Sequence, residues 1–209
     1  MLEFLEGNFE GEALMIMVSE VMKIAFVTGH ISLSEVKTAI SINKIIKRTN
    51  QLNQSLISDF GCRKPKIAIL GLNPHAGENG MLGTEEKEII NPAINQLKKD
   101  GVIVFGPYPS DSFFTQKNLL AFDGILSMYH DQGLTPFKTL SFFEGVNYTA
   151  GLNIIRTSPV HGTAYEIAGK DHANEQSFRE AVFLACKIFS TRLEYKKLNK
   201  DTLLHKTSK

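Results

Sequence analysis

The sequence predicts an α/β protein built on mixed sheets with flanking helices, and three observations carry that expectation. Between residues 65 and 128, short apolar runs bounded by glycine or proline alternate with helix-period segments, the pattern of parallel strands joined by helical crossovers. From 139 to 157 several short β-like runs follow one another with glycine breaks, which points to a mixed sheet. The 209 residues, 43% hydrophobic and 22% charged, suffice for one sizeable core or two small ones.

Residues 1–12 are acidic and glycine-punctuated and read as loop. Ala13–Val18 and Lys23–Thr28 are apolar enough for two strands, the second ending at Thr28-Gly29-His30. Ser32 caps a helix, with Glu35 three residues on completing a capping box. Ser41 caps a longer helix, apolar at 42, 45, 46, 52, 56 and 60, with Gly61 just past its end. Ile67–Leu70 is a strand of the continuously buried type, and Gly71–Gly80 is the loop after it. Thr84 opens a helix with Glu85 and Glu86 at its positive end; Pro92 restarts it and Gly101 stops it. Val102–Phe105 and Gly124–Met128 are the next strands, with Pro107–Ser112 a loop between them. Met128–Lys138 reads as a loop that turns at Gly133 and is stiffened by Pro136. Thr139–Phe143, Gly145–Ala150 and Asn153–Thr157 are short strands, and a domain change falls somewhere in 135–150. His161 enters a short helix ending at Gly169. The last helix, Ser177–Tyr195, puts Phe178, Ala181, Val182, Ala185, Ile188 and Phe189 on one face.

A net charge of +1, from 23 Lys+Arg against 22 Asp+Glu, favours neither nucleic acid nor an anionic membrane as partner. Two distant cysteines, Cys62 and Cys186, form neither a disulfide framework nor a zinc-ribbon spacing, which fits a reducing cytoplasm. The acidic start is unlike a secretory signal, and no apolar run reaches the roughly 20 residues that span a bilayer.

Chemistry concentrates in three loops. His30, His75 and His130 each end an apolar run inside a glycine-flanked loop, 45 and 55 residues apart. Three neutral imidazoles suit zinc or another late first-row divalent ion with a position left open for substrate. The pattern alone leaves open loop histidines that donate to backbone carbonyls. His172, in a polar turn, reads as surface. The loop Asn73–Glu78, between a strand and a helix start, is either an anion site or a turn-rich connection. Lys138, Asn147 and Arg156 are polar intrusions in an apolar segment; together they suit a phosphate and a carboxylate, and singly they suit surface positions. His161-Gly-Thr-Ala164 reads as a phosphate- or adenine-facing turn or as a Thr163 helix cap.

Taken in order, Leu72-Asn-Pro-His-Ala-Gly-Glu78, Gly83-Thr-Glu-Glu86, Gly106-Pro with Pro109 and Asp111, Met128-Tyr-His-Asp-Gln-Gly-Leu134, Val146-Asn, Gly151-Leu, Ile155-Arg-Thr-Ser158 and His161-Gly-Thr-Ala164 closely resemble the 4-hydroxythreonine-4-phosphate dehydrogenases of pyridoxal 5′-phosphate biosynthesis, across residues 3–192. The resemblance implies NAD-dependent oxidation of a secondary alcohol followed by decarboxylation to 3-amino-2-oxopropyl phosphate. It implies the two-domain fold of the isocitrate and isopropylmalate dehydrogenases and a homodimer with the metal site at the subunit interface. No G-x-G-x-x-G occurs here, which fits a fold other than Rossmann. By motif position, His30, His75 and His130 are the metal ligands (zinc, with magnesium or cobalt as alternatives), and Lys138, Asn147 and Arg156 bind substrate. Lys138 and Asp131 are the catalytic candidates, Asp131 orienting a histidine or relaying a proton. His161, Gly162, Thr163 and Ala164 contact NAD. The implied domains are 1–144, central and metal-binding, and 145–209, the later part of the NAD-binding domain. Two departures stand out: Val160 occupies a position often acidic in the family, and the chain begins at Met1-Leu2 where relatives carry a His-Thr pair and extend upstream. A phosphorylated small molecule is the partner in either of two activities, on 4-phosphohydroxy-L-threonine or on threonate or erythronate phosphates. An inactive dimerisation and metal-binding module is the alternative from a different class.

Overall fold

The computed structural model describes residues 7–141, 144–160, 165, 169–170, 172 and 174–200. Seven strands form one mixed sheet in the order β4-β3-β5-β2-β1-β6-β7. They are β1 Gly11–Val18, β2 Lys23–Phe26, β3 Ile67–Leu70, β4 Val104–Tyr108, β5 Gly124–Ser127, β6 Val146–Leu152 and β7 Arg156–Pro159. The β4-β3-β5-β2 half is parallel. From β1 onward the pairing is antiparallel, with Met17 opposite Asn147 and Thr149 opposite Arg156. The predicted mixed α/β character is therefore what the chain adopts. The sheet runs unbroken across position 144, since β6 pairs with β1.

The helices are α1 Leu33–Ala39, α2 Ile42–Ser58, α3 Asn91–Lys99, α4 Ser110–Phe113, α5 Gln116–Ala121, α6 His130–Ser141 and α7 Gln176–Lys200. The capping signals act as predicted. The Ser32 N–H donates to the Glu35 carboxylate at 3.0 Å, and the Ser41 hydroxyl accepts from the Lys44 N–H at 3.3 Å. One face of the sheet buries Leu14, Ile16, Val27, Leu126 and Tyr148 with Leu52, Leu56 and Leu97 of α2 and α3. The other buries Met17, Ile24, Phe26 and Ile125 with Phe137 of α6 and Phe113 of α4.

Four elements differ from expectation. The stretch from His130 to Ser141 is helix, so Gly133 and Pro136 are not a turn and Thr139 begins no strand. Gly133 is there for contact: a Cβ on it would sit 2.7 Å from both Ile24 Cδ1 and Ser127 Oγ, so its absence lets α6 lie close on the sheet. Pro107 is in strand β4, and α5 carried no clear signal because none of its six residues is buried. The last helix is rotated from the predicted face. Ala181 and Ile188 are buried, but Phe178, Val182 and Phe189 are exposed, leaving a second apolar stripe outward.

Candidate functional site at the strand ends

The three histidine loops leave the same edge of the sheet. His30 follows β2, His130 follows β5 and His75 follows β3, three adjacent parallel strands with β5 in the middle. Positions 45 and 55 residues apart in sequence are thus gathered at the carboxyl ends of parallel strands, where open α/β sheets hold their ligands. The His30 and His130 rings lie 5.5 Å apart between centroids, tilted by 47°. Two imidazoles bound tetrahedrally to one zinc ion would place their centroids roughly 5 Å apart, so this pair fits a shared ion in donor type and spacing. His130 stacks on Phe26 at 5.9 Å, and its Nδ1 lies 2.6 Å from Asp131 Oδ1, a contact that leaves Nε2 free of that carboxylate. His75 is exposed, and among the described residues no group of three or more His, Cys, Asp or Glu is close enough to hold a metal.

The His75 loop has an unusual backbone. Six consecutive residues, His75 to Gly80, have positive φ, from 41° at Glu78 to 101° at Gly80. Four of them are not glycine, and each such residue costs about 1–2 kcal/mol in the left-handed region. Such a conformation persists only where its surroundings over-determine it. The buried Glu86 carboxylate anchors the residues that lead into it: it accepts from the Leu72 N–H at 2.8 Å, the Asn73 N–H at 2.7 Å and the Asn73 amide at 2.9 Å. Glu85 accepts from the same Asn73 amide at 2.7 Å and pairs with Lys37 of α1 at 2.6 Å. These contacts with Lys37 and Asn73 hold the Glu85 carboxyl down at about 2. Glu85 and Glu86 stand at the start of a helical segment, Glu86–Ile90, as expected, and both also turn inward, 5% and 4% exposed. Their position in the Gly-Thr-Glu-Glu run was visible in sequence, but helix-start acids and loop-holding acids look alike there.

Asn147 and Arg156 lie on the α6 side of the sheet, because Asn147 is paired with Met17 and Arg156 with Thr149 on alternating positions. The Asn147 amide nitrogen donates to the Met15 sulfur at 3.7 Å, and among the described residues its buried Oδ1 has no hydrogen-bond partner. Arg156 is half-buried, donates to the Thr149 hydroxyl at 3.4 Å, and is lowered from its ordinary pKa by burial. Lys138 is in the last turn of α6, also half-buried. His161, Gly162, Thr163 and Ala164 lie outside the described residues. Two clefts of about 530 and 600 Å³ involve none of the predicted site residues.

A mixed α/β sheet with histidine-bearing loops at its parallel strand ends has the layout of a small-molecule enzyme site. The family follows from comparison with known proteins: residues 1–185 match the model described as "Pyridoxal phosphate biosynthetic protein PdxA", and the chain belongs to that family. It is 50% identical over 181 residues to a 4-hydroxythreonine-4-phosphate dehydrogenase of Bacteroides thetaiotaomicron, an alignment covering 87% of this chain and 50% of the relative. The crystal structure of the Klebsiella pneumoniae 4-hydroxythreonine-4-phosphate dehydrogenase superposes with a TM-score of 0.80 at 39% identity, covering 90% of this chain and 57% of that one. A terephthalate 1,2-cis-dihydrodiol dehydrogenase from Burkholderia xenovorans superposes with a TM-score of 0.66 at 26% identity, covering 84% of this chain and 55% of that one. The chain spans about half the length of the curated relatives it matches. No helix among the described residues is long and apolar enough to cross a membrane.

Proposed function

We propose that this chain serves as the metal-binding part of an NAD-dependent 4-hydroxythreonine-4-phosphate dehydrogenase of the cytoplasm, which oxidises and decarboxylates 4-phosphohydroxy-L-threonine to 3-amino-2-oxopropyl phosphate in vitamin B6 biosynthesis. The observation that carries this is the family match, which spans every position assigned a role. His30, His75 and His130 hold a divalent ion, zinc first, with magnesium or cobalt as alternatives. The spacing of His30 and His130 supports a shared ion, and completion of the set by His75 is assigned to a homodimer. When bound, such an ion supplies Lewis-acid polarisation of the hydroxyl being oxidised.

The chain's own residues bind and orient. Arg156 offers a planar fork and Lys138 a point charge for the substrate phosphate. The unpartnered Asn147 Oδ1 accepts a hydrogen bond from a substrate hydroxyl or amine. Asp131 holds the His130 ring through Nδ1, so that Nε2 is presented as a lone pair. His161 to Ala164 contact NAD. The two-domain fold of the isocitrate dehydrogenases, divided at 144/145, belongs to the same proposal.

A second reading is a dimerising metal-binding module without turnover, since the two clefts among the described residues involve none of the residues assigned to substrate. NADH formation on 4-phosphohydroxythreonine with NAD and added zinc or magnesium separates the two. Turnover abolished by a chelator is the expected result. No turnover, from a dimer that still binds zinc, establishes the module instead. Turnover only on threonate or erythronate 4-phosphate moves the substrate within the family.

A further inference from the structure

The three histidine loops are bound to one another by a ring of polar contacts, built on four buried side chains and closed by the part-buried Asn73 and the exposed Lys37. Thr28, just before His30, donates its hydroxyl to the Met128 carbonyl at 2.8 Å, joining the first loop to the third. Gln132, two residues after His130, accepts from the Met128 N–H at 2.7 Å and donates to the Gly71 carbonyl at 2.6 Å, joining the third loop to the second. Lys37, on the helix that follows His30, pairs with Glu85; Glu85 and Glu86 together grip Asn73, joining the first loop to the second. Thr28, Glu85, Glu86 and Gln132 are all buried. The glycines leave room only for these partners: a Cβ at Gly77 would lie 2.5 Å from Glu86 Oε2, and one at Gly83 would lie 2.3 Å from the Asn73 amide.

We infer that Glu86 and Gln132 are positioning residues, which lock the left-handed His75 loop in register with the loops carrying His30 and His130. Both act on the loops themselves: Gln132 through the backbone of Met128 and Gly71, Glu86 through the backbone of Leu72 and Asn73 and the Asn73 amide. Gln132 uses both ends of its amide, and Glu86 uses both carboxylate oxygens, so neither has a spare polar atom for a ligand. The effect on metal binding rests on the proposal that the three histidines share an ion.

The test uses Glu86→Gln, which keeps the shape but opposes two amide donors at Asn73, and Gln132→Met, which removes both bonds at similar volume. Ile188→Val, at a buried core position on α7, is the control for a general loss of stability. Two quantities are read on the full chain: hydrogen exchange of 72–82 and zinc affinity by competition with a chromophoric chelator. Expected are exchange in 72–82 at least about tenfold faster and zinc affinity about ten- to a hundredfold weaker in both variants, as for other residues that orient metal ligands, with neither changed in the control. Unchanged exchange in both variants overturns the lock. Faster exchange with unaltered zinc affinity overturns the positioning role. If the wild-type chain binds no zinc, the metal proposal has failed, and the exchange arm alone decides the lock.

Discussion

Glu85 is a carboxylate that the fold removes from water and compensates. Lys37, three-quarters exposed, reaches over it, and Asn73 donates to it from the other side. Its folded carboxyl stands at about 2 against an ordinary 4.5, so the unfolded chain takes up a proton first as pH falls. The stability it contributes is therefore complete above pH 4.5 and is lost as pH drops from 4.5 towards 2. Denaturant midpoints of wild type and Glu85→Gln measured through that window should converge on acidification. A gap that stays constant would show that Glu85 titrates alike in both states. None of this was legible in the sequence, where a Thr-Glu-Glu run before an apolar stretch signals a helix start. The deciding facts are long-range: Asn73 is 12 residues away and Lys37 is 48, and only the folded chain brings them together.

At the scale of elements, α6 shows why local punctuation misleads. Glycine and proline three residues apart suggest a turn, yet residues 130–141 form one helix, because burial of Gln132, Gly133, Phe137 and Ser141 along one side outweighs a weak propensity. Gly133 then becomes a contact point, and Gly133→Ala should overpack it against Ile24, Phe26 and Ser127, with a loss of about 1–3 kcal/mol in urea unfolding. A change below about 0.5 kcal/mol would mean that α6 rides further from β2 than this. The strands and capped helices were readable because period, caps and apolar runs agree at each of them. The histidine loops were readable as positions, and their meeting was not: strand order, with β5 between β2 and β3, is a property of the sheet and not of any local segment.

Over the whole molecule, the last helix binds by one side and offers the other. On the inner side, Arg192 donates to Asp59 at 2.7 Å, to the Tyr148 hydroxyl at 2.9 Å and to the Ile154 carbonyl at 3.2 Å. Tyr148 and Ser55 each donate to Asp59 at 2.6 Å, so one cluster fastens α7 to β6 and to α2. Burial and the Asp59 carboxylate both push the Tyr148 phenol up, which keeps it a donor. The outer side carries Phe178, Val182, Phe189 and Leu193, which fall on one stripe at helical spacing and are all exposed. The two sides should answer differently to substitution. Arg192→Ala leaves the Asp59 charge buried without its guanidinium and should cost about 3–5 kcal/mol. Phe189→Ser removes an exposed ring and should stay within about 0.5 kcal/mol. Equal losses in chemical denaturation would mean that the outer stripe is already packed against something in the folded chain. Unequal losses in the expected sense would mean that stability flows through the Asp59 cluster, with the outer stripe contributing nothing to it.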